Sequence, residues 1–155
     1  MIQRIQTLYM LLTAVIMGLM IFFPAGYIIA GGEEYGMRAF WLEPVGGGER
    51  IYTWGLGIII SAAALLPLIN IFLFKKRLIQ YRLCMSEFAL LLGAQIIALL
   101  FFYKLAAAFG DQFEISATTL AVPMFFPAIG LLLNWLALRG VKKDILLLKS
   151  LDRIR

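Results

Sequence analysis

The sequence predicts an all-α membrane protein, a four-transmembrane-helix bundle with both termini in the cytoplasm. Three observations carry this reading. The chain of 155 residues is 63% hydrophobic and only 15% charged, whereas soluble domains are about 45–50% apolar and about 25% charged. Its mean hydropathy is +0.92. Four apolar stretches are each long enough to cross about 30 Å of hydrocarbon, and basic residues gather beside alternate ends of them. These stretches and their connections use the whole chain, so residues 1–155 form a single membrane domain.

The first span covers about residues 7–29. A cleaved signal peptide would have a shorter apolar region, about 7–15 residues, ending in a small-residue site. Ile28, Ile29 and Ala30 do not supply one, so the segment is a retained helix. The outer loop, 30–53, holds Glu33, Glu34, Arg38, Glu43, Glu49 and Arg50. Within it, 37–42 and 50–54 are short segments rich in strand-forming residues. The run from Glu43 to Glu49 (EPVGGGE) between them is a chain-reversal signal, which predicts a small extracytoplasmic β-hairpin. The second span, about 54–74, ends against a basic loop at 75–83. The third runs from about 84 to 109, and an outer loop at 110–119 offers a further short strand to the hairpin. The fourth span covers about 120–138, followed by a cytoplasmic tail at 139–155.

Lysine and arginine set the orientation. Arg4, the 75–83 loop and the tail together hold 11 of the 14 basic residues, and the positive-inside rule places all three segments in the cytoplasm. In the tail, Val141, Ile145, Leu148, Leu151 and Ile154 fall on one half of a helical wheel, and Lys142, Lys143, Lys149 and Arg153 largely on the other. This is a basic amphipathic helix, suited to anionic lipid headgroups or to a protein partner.

Inside the spans, small residues four apart (Ala14 with Gly18, Gly57 with Ser61, Ala89 with Gly93) suit close helix packing. Pro67, Pro123 and Pro127 are expected to bend the second and fourth helices. Glu87 and Lys104 are the only charged residues of the third span. A helix puts them about 25 Å apart, so each reads as a boundary group that reaches water without a buried partner. Asn70, Gln95 and Asn134 place one amide in each of the last three spans. They are the candidate intramembrane polar cluster, either an interhelical hydrogen-bond set or a polar substrate site. With no carboxylate assigned to that cluster, coupling to protons or cations is not expected.

The chain has no histidine and one cysteine, Cys84. Histidine-ligated haem, histidine metal sites and histidine acid–base chemistry are thereby excluded, and no internal disulfide can form. No paired intramembrane carboxylates, phosphate-binding loop or activated nucleophile is legible, so no catalytic, cofactor-binding or metal-binding residue is assigned. The net charge of +5 is spent beside the spans and does not mark a nucleic-acid surface.

The two ends of the chain resemble a known family. The opening Met1 to Tyr9 (MIQRIQTLY), the segment Asn134 to Arg139 (NWLALR), Lys142, Lys143 and Asp144, and the closing Lys149 to Arg155 (KSLDRIR) carry the likeness. The family is an uncharacterised four-helix integral membrane family of the Bacteroidota, a domain of unknown function. The resemblance implies four spans in a bacterial inner membrane and transfers no activity. It directs attention to the cytoplasmic face, where Arg4, Lys142, Lys143, Asp144, Lys149, Asp152, Arg153 and Arg155 are the candidate partner or lipid contacts. The function expected is that of a non-catalytic accessory or assembly subunit of a larger membrane complex, with a membrane protein partner and the bilayer itself as its contacts. The alternatives are a small oligomeric transporter or channel subunit built on the three amides, and a lipid-modifying enzyme acting through Glu87 or Asp144.

Overall fold

The computed structural model describes residues 2–73, 76–111 and 114–152. In chain order the elements are α1 (Ile2–Phe22), β1 (Gly26–Ala30), β2 (Glu33–Met37), β3 (Trp41–Pro44), β4 (Ile51–Tyr52), α2 (Trp54–Phe72), α3 (Arg77–Gly110), β5 (Ile115–Leu120) and α4 (Phe126–Asp152). A single 3-10 turn, Val122–Phe125, leads into α4. All four helices are long and apolar enough to cross a membrane. They form a ring in which α1 packs on α2 and α4, and α3 packs on the same two.

Each helix buries one narrow stripe at alternating steps of three and four residues. On α1 it is Gln6, Met10, Thr13, Met17 and Met20; on α3 it is Gln80, Cys84, Glu87, Leu91, Ala94, Ala98 and Phe102. On α4 the stripe is Gly130, Asn134, Ala137, Val141 and Asp144. Such spacing follows the 3.5-residue seam of near-antiparallel helices. The opposite faces expose large apolar side chains such as Leu8, Val15, Leu65, Ile96 and Leu132, which suits hydrocarbon rather than water.

The sequence prediction of an all-α fold needs correction, because one end of the bundle carries a five-stranded antiparallel sheet in the order β4-β3-β2-β1-β5. The expected hairpin is present as β3 and β4, with Trp41 opposite Tyr52 and Leu42 opposite Ile51. The expected extra strand also forms as β5, but it pairs with β1, from Gly26 opposite Leu120 to Ala30 opposite Ile115. It therefore lies at the far edge from the hairpin.

β1 was hidden at the end of the predicted first span, and β2 lies in the predicted outer loop, where no strand was expected. The helix stops at Phe22, just before Pro24, rather than at residue 29. A proline cannot donate the helical hydrogen bond and biases its predecessor to extended backbone. β1 then turns back through Gly31 and Gly32, with φ of 60° and 84°. A two-residue hairpin loop with both φ values positive matches the twist of the flanking strands, and glycine takes it without strain.

Two further boundaries differ. α3 begins at Arg77 rather than 84. The predicted fourth span opens with the last residue of β5 and the 3-10 turn, and α4 then runs unbroken to Asp152, so the tail helix is its continuation. Of the three prolines, only Pro67 is inside a helix. Pro123 lies in the 3-10 turn and Pro127 is the second residue of α4, where a missing N–H costs nothing.

Phe40 ties the sheet to the bundle. Its ring lies against Gly57 so closely that a Cβ there would sit 2.3 Å from the nearest ring atom. The backbone N–H of Thr53 donates to Phe40 O at 2.7 Å, and the Thr53 hydroxyl to Ala39 O at 3.2 Å. The small residue at 57 thus admits an aromatic ring from the sheet end. Gly18 and Gly93, by contrast, have nothing within 4 Å of an added Cβ, so they are not the close-packing points expected of them.

Candidate functional site: a polar layer inside the bundle

The apolar core falls into two clusters. One surrounds Met17, Ile28, Ile60, Leu91, Phe102 and Met124; the other, nearer the chain ends, is Met10, Cys84, Ala137 and Val141. Between them along the buried stripes, each helix contributes one polar residue. These are Thr13 on α1, Asn70 on α2, Glu87 on α3 and Asn134 on α4, none more than 1% exposed.

Their donors are used and most of their acceptors are not. Asn70 Nδ2 donates to Cys84 Sγ at 3.1 Å and to Gln80 O at 3.4 Å. Asn134 Nδ2 donates to Cys84 O at 2.9 Å. The Thr13 hydroxyl donates to Tyr9 O at 2.9 Å. Asn70 Oδ1, Asn134 Oδ1 and both carboxyl oxygens of Glu87 have no partner among the described residues. Cys84 sits at the hub of this arrangement, and Glu87 is one turn further along the same stripe. Asn134 thus meets α3 at Cys84, three residues before Glu87. Burying polar atoms without partners is costly, and four such oxygens on the buried stripes of three helices mark this part of the core as the leading site.

This corrects two sequence expectations. Glu87 is not a boundary group: it is 1% exposed and has no ion pair among the described residues, so a carboxyl does accompany the amides. The three amides also do not form one cluster. Gln95 is half-buried and engages the start of α4, accepting from Ala128 N at 3.1 Å and donating to Met124 O at 3.2 Å. Those two backbone groups are the i, i+4 pair that would close a helical turn, and the side-chain amide stands between them. Lys104 is exposed, as expected for a boundary lysine.

At the tail, Lys142 and Lys143 are exposed, whereas Asp144 is 6% exposed and its carboxylate lies 3.8 Å from Arg77 Nη1. Asp144 therefore serves a contact within the chain, where a partner or lipid contact was expected. Arg139 lies over Trp135, 4.6 Å from the ring centroid. It shares with Gly140, Lys142, Lys143 and Leu146 a groove of about 450 Å³. Arg153 and Arg155 lie outside the described residues, as do the side chains of Arg4, Lys149 and Asp152.

A third polar feature sits in the sheet. Glu43 bridges Arg38, at 3.0 Å, and Arg50, at 2.9 Å; Arg38 also donates to Phe22 O at the end of α1. Partial burial tends to push the Glu43 carboxyl up. The nearby Trp41 indole and the two guanidinium groups outweigh it and hold the group below the usual carboxylate value. The Trp41 N–H lies near this carboxylate without reaching hydrogen-bond geometry. The cluster borders a cavity of about 340 Å³ that also touches Pro24, Tyr27 and Gly36.

Thr13 was missed as a site residue, and Glu87 was named only for the lipid-enzyme alternative and not with the amides, because both stand at stripe positions that the neighbouring methionines and leucines fill with core. The legible signal was their register: Glu87 is three residues from Cys84 and four from Leu91.

Fold and site together define a small four-helix bundle of membrane-spanning length, with a sheet at one end and a polar layer in its core. Residues 2–154 match the family model described as Domain of unknown function (DUF4293). The chain belongs to that family. No curated protein and no solved structure matches it.

Proposed function

We propose that the protein is a non-catalytic accessory or assembly subunit of a larger bacterial inner-membrane complex, with both termini in the cytoplasm and the end of α4 as its docking surface. The observation that carries this reading is the two-sided character of α4 beyond its apolar part. One side, Ala137, Val141 and Asp144, is consumed by packing on the chain itself. The other exposes Arg139, Lys142 and Lys143 together with Leu146 and Leu147, the leucines 58% and 48% exposed. Leucines exposed at a charged helix end are stabilised when a partner covers them. The cationic groove supports anionic lipid as a further contact of the same surface.

The orientation rests on the lysine and arginine distribution, and the inner-membrane location on the family resemblance. Pairing of β1 with β5 supports the alternation, since it requires the α1–α2 and α3–α4 connections to share one end.

The transporter reading loses ground because Gln95 is committed to the backbone of α4, away from Asn70 and Asn134. The lipid-enzyme reading loses ground because Glu87 is enclosed by the bundle and Asp144 faces Arg77. The test is brief crosslinking in native membranes, extraction of the tagged protein in mild detergent, and mass spectrometry. A stoichiometric membrane protein crosslinked through Lys142 or Lys143 is the expected result. A monodisperse protein recovered alone under several gentle extractions would overturn the proposal.

A further inference from the structure

We infer that the polar layer is a binding site for a single alkali-metal cation, held by the Glu87 carboxylate and the side-chain oxygens of Asn70 and Asn134, with the Thr13 hydroxyl at the same level on α1. The argument rests on counting donors and acceptors. Both amide groups already spend their N–H donors on α3, through Cys84 and Gln80, so their oxygens are what remain to face the layer. With the two carboxyl oxygens of Glu87, that makes four acceptors without partners, on three helices and at most 1% exposed. A proton on Glu87 would supply one donor and satisfy one of them. A cation satisfies several at once, because hard cations take oxygen ligands from carboxylate, amide and hydroxyl groups.

Charge selects the class. The layer offers one carboxylate, and no lysine or arginine pairs with it among the described residues; Arg77 is paired with Asp144. One buried negative charge is balanced by one monovalent cation. No group of three or more acidic, cysteine or histidine side chains suited to a metal is found among the described residues, whereas neutral amide oxygens beside a single carboxylate fit sodium, lithium or potassium. The Cys84 sulfur accepts from Asn70 and fixes which way that amide points, a positioning role rather than a ligand role.

This site is independent of the docking surface proposed above, and its test does not involve a partner. The purified full-length protein in detergent micelles is unfolded thermally at mildly alkaline pH, with sodium, lithium or potassium chloride exchanged for choline chloride at constant ionic strength. The expected result is a saturable rise in Tm with at least one alkali cation, about 5–10 °C at a hundredfold excess over Kd. In Glu87→Gln, which keeps shape and removes the charge, that rise is lost. Wild-type protein whose Tm is the same in all three alkali salts as in choline overturns the inference, as does a Glu87→Gln variant that keeps the full rise. Should Glu87→Gln fail to fold, sodium NMR line-broadening by the wild-type protein, reversed by excess lithium, supplies the second reading. Its absence together with a flat Tm overturns the inference.

Discussion

Replacing Gln95 by leucine removes the amide that stands between Ala128 N and Met124 O while keeping the side chain close to its original size. Two hydrogen bonds disappear, of 3.1 Å and 3.2 Å. Side-chain hydrogen bonds between membrane helices are worth about 0.6 kcal/mol each on average and up to about 1.7. The loss should therefore be about 1–2 kcal/mol. Reversible unfolding in mixed micelles, driven by increasing the mole fraction of a denaturing detergent, measures it directly. The two backbone groups have an escape, since they can pair directly with each other once the amide is gone. A Gln95→Leu stability within a few tenths of a kcal/mol of wild type would mean that they do, and that the amide is not holding the start of α4.

Acid should weaken the sheet end first. The folded-state pKa of Glu43 lies below its ordinary value of 4.5, so its contribution is present above that value and is lost as pH falls through the lower folded-state pKa. Protection factors of the β2–β3 amides, which correct for the intrinsic pH dependence of exchange, should fall in that window in wild type and not in Glu43→Gln. Gly57→Ala should cost about 1–3 kcal/mol by overpacking against Phe40, whereas Gly93→Ala, with open space around it, should gain up to about 1 kcal/mol from helix propensity; thermal melts of the two variants compare them. Reversing charge at Lys142 and Lys143 together should leave Tm within about 1 °C, as expected for exposed side chains. Recovery of the partner in mild detergent without crosslinking should drop about tenfold, the equivalent of about 1.4 kcal/mol of binding, as read by quantitative mass spectrometry.

The four helices were legible because twenty-residue apolar runs leave the backbone few alternatives in hydrocarbon. The hairpin of β3 and β4 was legible from its Gly-rich reversal. β1 was not: Gly26 to Ala30 (GYIIA) is as apolar as the helix before it, and hydropathy cannot tell a buried strand from the last turn of a span. Pro24 and the Gly31-Gly32 pair were the local cues, and both point to a break. The site was half legible. Asn70 and Asn134 stand out as amides in apolar helices, but the burial of Glu87 depends on which face of α3 meets its neighbours. That is a matter of rotation about the helix axis, which a charge near one end of a span leaves undetermined. Asp144 was misread for a similar reason, since its ion pair with Arg77 joins residues 67 positions apart, from two helices.

The pairing of β5 with β1 has a consequence for how the molecule is made. β1 leaves α1 early in synthesis and finds β2 at once, but its second edge stays bare until α3 has been threaded and Ile115–Leu120 emerges at the same end. A chain inserted with α3 and α4 inverted, or with one of them stalled, would deliver β5 to the wrong face and leave the sheet one strand short. Closure of the sheet thus depends on the α1–α2 and α3–α4 connections reaching the same end of the bundle.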